Sequence, residues 1–160
     1  MIPMLQSLFA HQAWADALLL SAIRTNEALR ENIELKKILH HTLIVQTFFL
    51  SLLEGRTPDM QAFSREPGAF DELLAAFRAS HESQNAYVGS IQDSDLKKQV
   101  EMPRMPGTFR DAGDVMMQVV MHSQGHRAQV AKLFHTLGGK APTTDYILWV
   151  KDRPKPNYGD

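Results

Sequence analysis

The sequence predicts an all-α fold, a bundle of four amphipathic helices. Three observations carry this. Four long stretches repeat their apolar residues at helical spacing, the prolines fall between those stretches or in a first turn, and strand-like alternation is nearly absent. The first helix is expected from about Pro3 to Ile23, with Pro3 suited to a first turn and Leu5, Leu8, Phe9, Ala15, Leu19, Ala22 and Ile23 on one stripe. The second runs from about Ile33 to Glu54 and stops at Gly55, a C-terminal cap. The third runs from about Ala69 to Ile91, carrying Phe70, Leu73, Leu74, Phe77 and Val88. Pro103, Pro106 and Gly107 break the next segment, where Gln99 to Met102 reads as a short strand-like piece. The fourth helix begins near Thr108 or Asp111 and ends at Gly138-Gly139. Residues 1–152 are expected to form one four-helix domain, with Ala141 to Trp149 lying across it, and residues 153–160 an extended, loosely held tail. The pattern does not fix the order of the helices around the bundle.

Composition narrows the function classes. A chain of 160 residues can bury a sizeable core without staples. A hydrophobic fraction of 44% with 22% charged residues is ordinary for a soluble globular protein. Net charge is −1 and no long basic run occurs, which argues against nucleic acid as the partner. No stretch approaches the length of a membrane span, and the N-terminus lacks the charged and apolar regions of a signal peptide, so the expected compartment is the cytoplasm. There is no cysteine, which excludes disulfides, thiolate-bound zinc and a cysteine nucleophile. Any thiol chemistry would have to use an external thiol.

Seven histidines remain, and helix geometry sorts them. Residues four apart lie about 40° apart on one face. His122 and His126 form such a pair, on a stripe with Val115, Gln129 and Leu133 that reads as inward. Two imidazoles one turn apart can hold one divalent cation; the bland alternative is one buried and one solvated histidine. His40 and His41 must face different ways. His40 shares a face with Lys36, Thr47, Ser51 and Glu54, which is solvated, whereas His41 shares one with Ile38, Val45, Phe48 and Leu52, a core face. His41 is therefore the third candidate. Three imidazoles with an open position are the ligand set of a catalytic metal site. His11 can line a cavity or accept a supporting hydrogen bond, His81 reads as hydrogen-bonded and half-buried, and His135 lies on the surface. Gly125 fits a close approach to the site or to a neighbouring helix, and Met116, Met117 and Met121 read as core filler.

These residues resemble the DinB family of small metal-binding four-helix proteins over most of the chain. Leu8 to Asp16, with its Trp14-Ala15 step, is similar to the family's opening helix. His41, Phe49 and Gly55 match its second-helix spacing, with Phe49 where tryptophan is common. His122-Ser123-Gln124-Gly125-His126-Arg127-Ala128-Gln129 is similar to its H-x-x-x-H-R-x-Q element, and Leu137-Gly138 with Pro142 to Tyr146 to its closing segment. The resemblance implies a three-histidine site for a divalent metal (zinc, nickel, iron or manganese), often in a homodimer. Related members include transferases and isomerases that use a low-molecular-weight thiol. The functional expectation is a metal-dependent enzyme of thiol-transferase or hydrolase type acting on a small molecule, with zinc or nickel ahead of iron or manganese. The alternative is a non-catalytic metal- or ligand-binding protein of stress response. No catalytic residue can be assigned; Gln129 is the candidate, placed to orient a ligand or a bound water. Arg127 points about 100° from His126 and is expected to pair with an acid on another helix. Asp16 and Glu54 are candidate carboxylate partners, with the plainer reading, solvated or capping charges, preferred for both.

Overall fold

The computed structural model describes residues 1–159. Helix α1 spans Ile2–Arg24, with Pro3 in its first turn. A short helix α2, Glu27–Arg30, begins at the Asn26 cap, and α3, Ile33–Leu53, begins at Asn32, whose side chain accepts the Leu35 N–H at 2.9 Å. Helix α3 ends as its glycine predicts. Gly55 has φ +69°, its N–H reaches the Leu52 carbonyl, and the Arg56 N–H reaches Ser51 O at 2.8 Å. Helix α4, Phe70–Ser90, follows a loop containing the 3₁₀ turn Met60–Ser64. Strands β1, Gln99–Glu101, and β2, Phe109–Asp111, then pair antiparallel with Val100 opposite Arg110. Helix α5, Ala112–Thr136, ends at Gly138 (φ +77°) in the same type of cap as α3. Helix α6, Tyr146–Asp152, lies against α1 and buries Trp149.

The four long helices form a ring in which α1 touches α4 and α5, and α3 touches the same two. The contacts Gln12–Gln84 and Asp16–His81 run in opposite chain directions, so α1 and α4 are antiparallel. His41 with His126 and Gln46 with Ser123 make α3 and α5 antiparallel as well. Successive helices α1 and α3 therefore sit on a diagonal, as do α4 and α5. The diagonal steps use longer connections than a minimal bundle turn, and the β1–β2 hairpin occupies the second of them.

The apolar core comes in two halves. One gathers Leu20, Ile23, Leu35, Phe77 and Phe134; the other gathers Leu5, Phe9, Val88, Met116 and Val119. Each fully buried leucine or phenylalanine contributes about 1.5–3 kcal/mol. Between the halves lies a polar layer of Gln12, Asp16, Gln46, Ser80, His81, Gln84, Ser123 and Arg127, all buried. Residues 153–157 are exposed and form no helix or strand, as expected of the tail, and its end is anchored. Tyr158 enters the first apolar half, and the Gly159 carbonyl accepts from Arg24 at 2.7 Å. No helix among the described residues is long and apolar enough to cross a membrane.

Candidate metal centre

His41 on α3 and His122 and His126 on α5 converge on one seam of the bundle. A ligating nitrogen from each lies within 4.8 Å of the other two, the only such grouping of metal-ligating side chains among the described residues. The His41 ring centroid is 5.2 Å from His122 and 4.9 Å from His126. His41 stands at the open rim, while His122 and His126 are half-buried. The site is therefore a surface-facing seam, and the core-facing placement of these histidines needs correction. The inward line of α5 is Met116, Val119, Ser123, Arg127, Val130 and Phe134; that of α3 includes Leu35, Leu39, Thr42 and Gln46. The histidine stripes are rotated to the flank, where two neighbouring helices can share one ligand.

Hydrogen bonding prepares His126 as an electron-pair donor. The Gln129 amide oxygen is 2.7 Å from His126 Nδ1 and can only accept, so Nδ1 carries the proton and Nε2 the free pair. His126 Nε2 lies 3.2 Å from His122 Nε2. The buried Nδ1 of His122 has no partner. Burial first, then the neighbouring His126 and His41, bring the His122 pKa down to about 4. Burial, His126 and Arg104 lower His41 in the same direction. Three incompletely bonded imidazoles, two of them held toward the neutral form by burial, are a donor set that a borderline divalent cation fits.

Beneath the seam, Arg127 turns into the bundle next to His126. Its Nη1 donates to Asp16 Oδ1 at 2.9 Å. Asp16 Oδ2 accepts from Gln46 Nε2 and His81 Nε2, both at 3.0 Å. Since a carboxylate only accepts, His81 carries a proton on Nε2, and its Nδ1 is hydrogen-bonded with the Tyr158 hydroxyl at 2.7 Å. Burial alone would push the Asp16 carboxyl up; Arg127 and His81 overcome it and hold the carboxyl at about 2. A continuous chain of polar contacts thus joins the C-terminal segment to the turn of α5 that carries His126.

A family model described as DinB superfamily matches residues 34–130, more than half of the chain, and covers all three histidines. The chain belongs to the DinB superfamily. No curated protein and no solved structure matches it.

In this DinB-superfamily chain the other readings fare unequally. Arg127 pairs with an acid on a neighbouring helix, as expected. Asp16 is that acid, buried and not solvated, which overturns its reading as a surface charge. Glu54 is exposed and bonds Arg56. His11 lies away from the seam; its Nε2 meets the Thr144 carbonyl at 2.8 Å and its ring contacts Trp14, Tyr146 and Trp149. His81 is fully buried, more so than its sequence neighbours suggest. His135 is exposed. Gly125 faces open space, so no close approach explains it. Met116 is core, but Met117 and Met121 are exposed. Sequence reasoning missed Phe63 and Arg104, which border His41: the Phe63 ring is 6.4 Å from His41 and the Arg104 guanidinium lies 4.2 Å over Phe63. Both sit in loops, where no periodicity reports on what they face.

Proposed function

We propose that this protein binds one divalent metal ion through His41, His122 and His126, and uses it in a metal-dependent reaction of thiol-transfer or hydrolytic type. The observation that carries the reading is the convergence of three imidazole nitrogens within 4.8 Å of one another. When bound, the cation supplies Lewis acidity, which lowers the pKa of a water or thiol ligand. Three neutral imidazoles suit zinc or nickel first, and iron or manganese after them. Three protein ligands leave a position for an exogenous group. His41 at the rim gives that position access to solvent. Gln129 fixes the tautomer and orientation of His126, a supporting role and not contact with the reacting atoms. The chain has no cysteine, so a thiol would enter as a small co-substrate. The reading includes a small-molecule substrate, a homodimer and a cytoplasmic setting, with chain mass in solution testing the second.

The test is cobalt-substituted protein titrated with a low-molecular-weight thiol. A new near-ultraviolet band in the parent, absent from His126→Ala, supports an open site of thiol-using type. A cobalt spectrum unmoved by thiol, water exchange or added anions points instead to a closed, non-catalytic binding site.

A further inference from the structure

A groove of about 350 Å³ is lined by Phe49 of α3, by Asp114, Val115 and Gln118 of α5, and by Met102, Met105 and Arg110 of the β1–β2 hairpin. Gln118 stands one helical turn before His122, on the same face of α5. The volume suits a small ligand. Most of the wall is apolar, and two of its members are methionines, whose flexible side chains adapt to varied shapes. The turn between β1 and β2, which carries Met102 and Met105, also carries Arg104.

Arg104 is exposed, and its guanidinium rests on the Phe63 ring, which contacts His41 in turn. No carboxylate lies within ion-pair distance of it among the described residues. Arg110 and Asp114 both line the groove, so their formal charges cancel there, and Arg104 stands on the adjoining turn, whose own carboxylate, Glu101, is turned to the Gly107 N–H. A guanidinium laid on an aromatic face keeps its N–H donors directed outward in its own plane, the geometry that grips a carboxylate with two hydrogen bonds.

We infer that the three-histidine site takes a small molecule with an apolar body and a carboxylate, the body lying in the groove and the carboxylate meeting Arg104. The inference rests on the metal reading above for its chemistry, but not for its binding test. Arg104 is a substrate-positioning residue in this scheme. Its attraction for an anion acts at the mouth of the site, where a cation on the histidines would add to the same field.

The experiment uses hexanoate and its neutral counterpart hexanamide, titrated into the full chain at low ionic strength with and without zinc and followed by amide chemical shifts. The parent is expected to prefer hexanoate, with shifts at Gln118 and Val115. Arg104→Gln should weaken hexanoate about tenfold and leave hexanamide unchanged; Arg104→Lys, keeping the charge without the fork, should fall between. Equal binding of the two probes by the parent overturns the inference. So does a hexanoate preference that survives Arg104→Gln, since the anion then goes elsewhere. If zinc does not bind, the metal reading fails by itself, while the Arg104-dependent preference in the zinc-free chain still decides this one.

Discussion

At Asp16 a buried carboxylate accepts from Arg127, His81 and Gln46, residues drawn from three other helices. Removing its charge leaves the Arg127 guanidinium buried without a counter-ion. Asp16→Asn should therefore cost about 3–5 kcal/mol in chemical denaturation. The carboxyl lies near 2 against an ordinary 3.8, so the unfolded chain takes up the proton first as pH falls. The stabilisation is complete above about pH 4 and is lost as pH falls through about 2. Denaturation midpoints of the parent and Asp16→Asn should converge over that window. Gln129 acts more locally. Gln129→Ala should leave folding intact and weaken metal binding about 10–100-fold in a competition titration, because the Nδ1 proton of His126 loses its acceptor.

Among the elements, α5 shows what a sequence can and cannot reveal. Its end at Gly138 and the i,i+4 spacing of His122 and His126 are visible directly, because a helix fixes both. Its rotation is not. An ion pair of Arg127 with another helix is expected from its position, but the partner, Asp16, lies 111 residues away, and the burial of both is favourable only once they are placed together. The histidine stripe then falls on the flank. For α3 the same reasoning put His41 in the core, although its value is in reaching a neighbour across a seam. Strand β2 is three residues long, too short for alternation to show, and α2 is a single turn. Gly125 lies in α5 with nothing within 4 Å of the place a methyl group would take, so Gly125→Ala should raise stability by about 0.5–1 kcal/mol and leave metal content unchanged. Tyr158→Phe deletes one hydroxyl from His81 and should cost about 1–3 kcal/mol in thermal or urea unfolding.

At the scale of the whole molecule, two apolar halves flank a buried polar layer whose hydrogen bonds join all four long helices. The all-α class and the four long helices were legible because their periodicity extends over more than five turns each, whereas the ring order came from tertiary contacts that no local pattern encodes. The three histidines were legible as candidates because each lies on a regular helix; Arg104 and Phe63 were not, because loops bring them to the site. The proposed homodimer should appear as twice the mass of 18.1 kDa by light scattering; a monomer across the accessible concentration range would remove it. The central claim is that one metal ion is held by α3 and α5 together. The most direct test is elemental analysis of untagged protein beside His41→Ala and His126→Ala, each checked for retained helicity. About one divalent metal per chain in the parent, lost from both folded variants, is the predicted result. No metal in the parent, and none taken up from added zinc, nickel, iron or manganese, would contradict it and leave a bundle whose three histidines meet without a ligand.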